Sequence, residues 1–417
     1  MYSSIHINTP ILSIKLSRWL VFEPATTIHK QEIEMEDAMI GSDDAKVMHG
    51  LEGVIAMETR LSRVDGQAGE LIIAGSFAED LATQHSFEEV FWLLWHGTLP
   101  DDEERASITT ALAESRARAF EQLRGHEATR FKDPMDALRA MVSQLESSED
   151  LFADAIAVLG AIPVANALWA ARQRDEDATA PSLEVDHARD YSRMLLGRDP
   201  GEARARALST YLITVSDHGM NASTFAARVI ASTQSDLVAS LVGAIGALKG
   251  PLHGGAPGPV LDMLDAIGEP ARAEPWLRAE LEAGRRVMGM GHRVYRVRDP
   301  RAAIFERALA TLASDPQAQS SASEHDKARL ELARAIETTA THVLAERYPQ
   351  RDLRANVEFY TAVLLEALQI PRALFTATFA MGRAMGWAAH VHEQREEGRL
   401  LRPRALYKGA LPDGARG

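Results

Sequence analysis

Leu237-Val-Ala-Ser-Leu-Val-Gly-Ala-Ile-Gly-Ala-Leu248 runs directly into Lys249-Gly-Pro-Leu-His-Gly-Gly-Ala-Pro-Gly-Pro259. In the first half, Leu237, Leu241, Ile245 and Leu248 recur at spacings of three and four, the period of a helix with one buried stripe. In the second half, four Gly and three Pro in eleven residues frame His253 in a stiff, open loop. A helix that ends in a Gly-rich loop holding a lone histidine sets the reading for the rest of the chain.

Outward from this point the chain reads as helix after helix. Ser86-Phe-Glu-Glu89 is a capping box before the apolar run Val90–Trp95, and Gly97 supplies a stop. Helical patterns are expected near 103–123, 134–145, 151–172, 203–215, 222–233 and 236–248. Asp299-Pro300 reads as an N-cap with Pro at the first helical position. Pro371 opens a further helix to about Glu397, in which Gly382 and Gly386 allow close packing. Leu61–Ala74, around Asp65-Gly66, alternates as a short hairpin would. Ser314–Asp326 and Gln173–Pro181 read as loops. Aromatic residues make up only 6%, and long Val/Ile/Thr runs are missing, so the chain is predicted to be mainly α. No internal repeat is visible.

The 417 residues suggest two or three domains, or one large core with a smaller companion. With 45 basic and 59 acidic residues the net charge is −14, which argues against a nucleic-acid face. Cysteine is absent, so disulfides, thiolate metal sites and thiol nucleophiles are ruled out. Catalysis must then come from His, carboxylates, hydroxyls, Lys or Arg, and only 7 of the basic residues are Lys. No apolar run reads as long enough for a membrane span. The first 22 residues hold Lys15 and Arg18 without the order of a secretory signal, so residues 1–48 are read as a non-core extension.

Four segments break the helical pattern. Ser216-Asp-His-Gly-Met-Asn-Ala-Ser223 sets His218 in a turn before a helix that Asn221 or Ser223 could cap. The loop around His253 is the second. Arg285–Arg301 carries six Arg and one acid, a local reversal of sign that suits an anion. Asn356-Val-Glu-Phe-Tyr360 places Glu358, a lone carboxylate among apolar residues, where burial would raise its pKa and suit it as a base. Taken singly, each has an ordinary reading as a cap, a turn, a solvated basic face or a first-turn Glu. His390 and His392, near Glu393, stand two apart and face different sides of a helix, so no metal site is expected there.

Together these segments resemble citrate synthase in order and content, over roughly residues 49–410. The resemblance rests on Asp217-His-x-x-Asn-Ala-Ser-Thr224, Lys249-Gly-Pro-x-His-Gly-Gly-Ala256, Gly289-x-Gly-His-Arg-Val-Tyr295 with Asp299-Pro-Arg-Ala302, and Asn356–Tyr360. Arg383 before Gly386-Trp387 and His390, then Arg402-Pro403 before Tyr407, complete it. The resemblance implies a multi-helical fold with a large domain (49–255 and 367–417) and a small one (256–366) that closes over the substrates. It implies an acyltransferase of the tricarboxylic acid cycle that condenses acetyl-CoA with oxaloacetate and hydrolyses citryl-CoA. In that reading His253 bonds the thioester oxygen, Glu358 takes the methyl proton and His292 donates to the keto oxygen. His218, Arg301 and Arg383 hold oxaloacetate, and Arg402 reaches in from the other subunit of a homodimer. Arg285, Arg286, Val287, Met288 and Gly289 face CoA. No metal or redox cofactor, nucleic acid or membrane is implied, and a cytoplasmic site is expected. The nearby alternatives are a 2-methylcitrate synthase using propionyl-CoA, and a catalytically weak homologue that binds CoA or organic acids.

One departure stands out: the family usually has Asp where this chain has Glu358. The extra methylene matters through geometry, since a misplacement of about 1 Å can cost on the order of 100-fold in rate. Basicity changes little, from about 3.9 to about 4.3. A backbone adjustment that keeps Glu358 as base is expected.

Overall fold

The computed structural model describes residues 47–51, 53–254, 257–292, 294–314 and 321–412. Except for Val47 and Met48, the extension 1–48 lies outside the described residues, as do Gly255, Ala256 and Arg293 of the segments above.

The chain after Leu61 begins with the expected hairpin. β1 (Ser62–Asp65) pairs antiparallel with β2 (Glu70–Ile73), and β3 (Ser76–Phe77) adds to β2. Ser62 stands opposite Ile73, and the Asp65 carboxylate accepts from the Gln67 and Ala68 amides to close the turn. The rest is helical: α1 (Ala78–Gln84), α2 (Phe87–His96), α3 (Asp102–Leu123), α4 (Pro134–Val142), α5 (Leu151–Arg174), α6 (His187–Leu196), α7 (Glu202–Thr214), α8 (Ala222–Ser232) and α9 (Leu237–Leu248). There follow α10 (Pro257–Ile267), α11 (Ala273–Glu282), α12 (Pro300–Ala313), α13 (Ser321–Arg347), α14 (Val357–Ala367) and α15 (Phe375–Glu397). The mainly α expectation is met.

Local chemistry sets the ends. Ser86 and Glu89 form the reciprocal capping box of α2, and Gly97 ends that helix at φ +80°. Asp236 caps α9, Asn221 caps α8, Asn356 caps α14, and Asp299 caps α12 with Pro300 behind it. The last helix starts later than its Pro suggests, because Arg372–Leu374 form a 3-10 turn before α15. Four short helices escaped the periodicity: α1, α6, α10 and α11. The stretch read as a loop at Ser314–Asp326 is helical from Ser321 onward, for the apolar stripe of α13 begins only at Leu330 and runs through Ala333, Ile336, Ala340 and Leu344, leaving its first turns polar.

Residues Met57–Pro403 form one compact unit. Its centre is α5 and α15, both buried nearly all round. Contacts of α5 with α3 are close at Gly160, where a Cβ would stand 2.7 Å from the Ser115 Cβ. Contrary to the sequence reading, α5 is long and apolar enough to span a membrane, with mean hydropathy 1.9. Asp154, Gly160, Pro163 and Asn166 interrupt the run, yet its average stays high. Its surface is instead covered by protein, with 72% of that window buried, as befits a core helix.

The functional loops lie where these helices start and stop. His218 follows α7, His253 follows α9 and His292 follows α11, while Arg301 and Glu358 sit in the first turns of α12 and α14.

Candidate active site

The turn after α7 is shaped by Gly219 at φ +59°, a left-handed conformation that glycine adopts freely. It presents His218, whose Nε2 is 3.1 Å from the Tyr295 hydroxyl. The rings of His218 and His292 meet edge to face with centroids 5.8 Å apart. Burial pushes the His218 pKa well below its usual value, and the positive charges of Arg301 and Arg383 push it further. A neutral ring so close to two guanidinium groups is a donor or acceptor for an anion, without being a competing cation.

His292 is fixed by its own loop. Its Nδ1 accepts from the Val294 and Tyr295 amides, both at 3.0 Å. A backbone N–H can only donate, so the neutral ring carries its proton on Nε2. Burial, then Arg301, lowers its pKa to about 4. His292 is therefore a neutral N–H donor across the physiological range.

The same logic fixes His253. Its Nε2 lies 2.7 Å from the Ser223 Oγ and 3.3 Å from the Ser223 amide, which must donate to it. The proton then resides on Nδ1, the other face of the ring. Ser223 is steadied by the Trp387 indole, which donates to its Oγ at 3.1 Å. Burial, then Arg383, lowers the His253 pKa to about 4.

Two buried arginines face this group. Arg301, 3% exposed, is held at two points by Asp299, with Nε to Oδ1 at 3.0 Å and Nη2 to Oδ2 at 2.8 Å. Its guanidinium lies 5.9 Å from the Tyr295 ring centre. Arg383, 1% exposed, forms no ion pair with a carboxylate among the described residues, although the charge of Asp217 favours it; its Nε donates to the Val215 carbonyl at 2.6 Å. Burial pulls its pKa down to about 10, so it keeps its charge at an energetic cost that an anionic ligand would relieve. The close approach depends on glycine: a Cβ at Gly382 would stand 2.7 Å from the Leu212 carbonyl oxygen, and one at Gly386 would overlap the Ser216 carbonyl.

Glu358 is the acid of the group. Its Oε2 is buried without a hydrogen-bond partner among the described residues. Burial raises its pKa to about 7; Arg301 opposes that rise and Asp299 adds to it. A carboxyl poised near neutrality, with an unused oxygen, has the properties of a general base.

Asn356 ties Glu358 to the basic segment. Its Oδ1 accepts from the Glu358 amide at 3.0 Å, and its Nδ2 donates to the Gly291 carbonyl at 2.9 Å. Asn356 N–H also donates to the Gly289 carbonyl at 2.9 Å, and Gly291 N–H to the Arg354 carbonyl at 2.7 Å. Within that segment Val287 is buried and Met288 partly so. Arg286 is exposed, and Arg285 is spent on Glu280 through two contacts of 2.6 Å. Gly289 stands at φ +73° against Phe359.

His218, His292, Arg301, Arg383 and Glu358 thus fall within one electrostatic neighbourhood, and His253 joins it through Arg383. Arg402 does not; it lies exposed in the irregular chain after α15. His390 and His392 separate as their spacing demands. His390 is buried with its Nε2 3.2 Å from Asp217, while His392 stacks on Trp95 with centroids 4.5 Å apart. Among the described residues no group of three His or carboxylate side chains converges as a metal site would. Sequence reasoning missed the supports. The sequence marks Asp299 and Ser223 only as candidate caps within motifs, and Asp217 and Tyr295 only as parts of a motif. Ser62 carries no local signal at all.

Comparison with known proteins adds the family. The family described as citrate synthase, C-terminal domain, matches residues 50–404. Citrate synthase of Haloferax volcanii is 38% identical over 383 residues, covering 87% of this chain and 96% of the relative. The 2-methylcitrate synthase of Mycobacterium tuberculosis is 35% identical over 373 residues, covering 87% and 91%. Among solved structures, the ternary complex of citrate synthase from Thermoplasma acidophilum with carboxymethyl coenzyme A and oxaloacetate superposes with a TM-score of 0.76 at 29% identity, covering 89% of this chain and 98% of that one. A match that spans nearly the whole helical unit, and every loop of the candidate site, settles the kinship: the chain belongs to the citrate synthase family.

Proposed function

We propose that the protein is a citrate synthase, which condenses acetyl-CoA with oxaloacetate and hydrolyses the resulting thioester to citrate and CoA. The observation that carries this reading is Glu358, a buried carboxyl with a pKa near 7 and a free oxygen, set among neutral histidine donors and buried arginines. Glu358 takes a proton from the acetyl methyl group. The electron pair left behind moves onto the thioester oxygen, which receives a hydrogen bond from His253 Nδ1–H. The enol carbon attacks the keto carbon of oxaloacetate, and His292 Nε2–H donates to the oxygen that becomes the hydroxyl. Water then cleaves the thioester and CoA leaves as its thiol. Arg301, Arg383 and His218 hold the oxaloacetate carboxylates, for which guanidinium groups are well shaped. Arg285–Gly289 faces CoA. The chemistry calls for no metal or prosthetic cofactor.

Residues 256–366 form the small domain in this reading, and 49–255 with 367–417 the large one. Closure between them excludes water from the enolate. The working unit is a homodimer in which Arg402 completes the partner's site. The half-exposed faces of α8 and α9, with Phe225, Val229, Ile230 and Val242 and no charged side chain among them, support such pairing. A cytoplasmic site is part of this reading.

A second reading, 2-methylcitrate synthase, is favoured by the relative of that name at 35% identity. One methylene in an apolar pocket is worth only about 1–3 kcal/mol of discrimination. Release of free thiol from acetyl-CoA and from propionyl-CoA, each with oxaloacetate, tests both. Faster release from acetyl-CoA is expected. Faster release from propionyl-CoA would favour the second reading, and release from neither would leave a binding protein.

A further inference from the structure

We propose that Ser62 is a positioning residue for the oxaloacetate site, and that β1 acts as a strut fixing the His218 turn relative to the His292 loop. This rests on the assignment of those two histidines to oxaloacetate. Ser62 Oγ donates to Asp217 Oδ2 at 2.5 Å and accepts from Gly219 N–H at 2.8 Å. One hydroxyl therefore grips both neighbours of His218. Asp217 is fully buried and also meets His390 Nε2 at 3.2 Å. Arg228, which can only donate, lies 3.3 Å from His390 Nδ1, so the His390 proton is on Nε2 and points at Asp217. Asp217 is thereby locked from behind by α15 and from in front by Ser62.

The other end of the same strand holds the other histidine loop. The Gly66 carbonyl accepts from Arg296 N–H at 2.8 Å. A Cβ at Gly66 would overlap the Val294 carbonyl, and one at Gly69 would stand 2.7 Å from Val297 Cγ2. Val294 and Tyr295 are the residues whose amides aim His292. Three paired residues, Arg63 to Asp65, thus separate the grip on His218 from the grip on the His292 loop, and a paired strand does not stretch. Ser62 touches no reacting group; it acts through His218.

The test compares Ser62→Thr with Ser62→Val in the full chain; these variants share a shape and differ by the hydroxyl. Ser62→Ala serves as a third variant that needs no extra room. With the hydroxyl gone, the KM for oxaloacetate and its calorimetric dissociation constant should rise about tenfold, as for a lost hydrogen bond to a charged group. The KM for acetyl-CoA should stay within about twofold, and Thr should behave as the parent. An unchanged oxaloacetate constant in folded Val and Ala variants would overturn the proposal. So would an equal rise in both KM values with a lowered melting temperature, which would mark a merely structural role. Parent protein that neither binds oxaloacetate nor releases thiol would instead overturn the functional reading itself.

Discussion

Asp299 holds Arg301 with two parallel contacts, 3.0 and 2.8 Å, while its Oδ1 also accepts from the Arg301 backbone amide at 3.0 Å. The residue that starts α12 is therefore the counter-ion of the guanidinium two positions later. Both groups are buried, so neither is screened by water. Asp299→Asn should keep the cap but leave a buried cation without its charge partner. Breaking such a pair costs about 3–5 kcal/mol. We expect a loss of that order in urea unfolding, together with weaker oxaloacetate binding because the guanidinium is no longer aimed. Equal stability of variant and parent would show that Arg301 finds another partner.

Glu358 should govern the acid limb of the rate profile. Its carboxyl, raised by burial to about 7, must lose its proton before it can act as a base. His253 and His292, lowered to about 4, stay neutral throughout that window. The value of kcat/KM for the acyl donor should therefore fall as pH drops through about 7, with a single ionisation.

Stability should respond with the opposite sign at the same group. A carboxyl whose folded pKa lies above its unfolded value of 4.5 binds its proton more tightly when folded. Its contribution is full below 4.5 and is lost as pH rises through about 7. Glu358→Gln mimics the protonated form. It should abolish turnover, retain oxaloacetate binding and melt higher than the parent at pH 8, by an amount on the order of 3 kcal/mol. The gain should vanish near pH 4. Near-normal turnover in this variant would remove Glu358 from the role of base.

Gly289 joins the stretch proposed to face CoA to the acid. Its φ of +73° disfavours any side chain, and a Cβ there would lie 2.9 Å from Phe359 Cδ2. Gly289→Ala should lose about 1–3 kcal/mol of stability. Because Phe359 follows Glu358 directly, kcat should fall more than the oxaloacetate affinity does. A drop in stability with kcat intact would show that the first turn of α14 tolerates the displacement.

How much of this was legible in the sequence depends on what each residue touches. Helices with an apolar stripe and a cap, such as α2 and α9, announce themselves locally. The polar first turns of α13 do not, and its polar side chains have partners distant in sequence: Glu337, for instance, accepts from Arg298 and from the Tyr360 hydroxyl. The histidines stood out because Gly and Pro framed them. Their tautomers were invisible, since those depend on which backbone amide lies beside which ring nitrogen. Ser62 was beyond reach, as a serine in a short hairpin signals nothing until the turn 155 residues later folds against it.

Arg402 is the one proposed oxaloacetate-binding residue that lies apart from the others in a single chain, exposed and without a partner among the described residues. If it completes the site of a second subunit, the two halves of the site can be damaged separately. Arg402→Gln leaves Glu358 intact, and Glu358→Gln leaves Arg402 intact. Each variant alone should be nearly inactive, the first through a raised KM for oxaloacetate. When equal amounts are unfolded together and refolded, half of the dimers should be mixed. Each mixed dimer holds one site with both groups present, so the mixture should recover roughly a quarter of the parent activity at low oxaloacetate. Arg402 acting within its own chain would give no recovery at all, because no site would then combine an intact Arg402 with an intact Glu358.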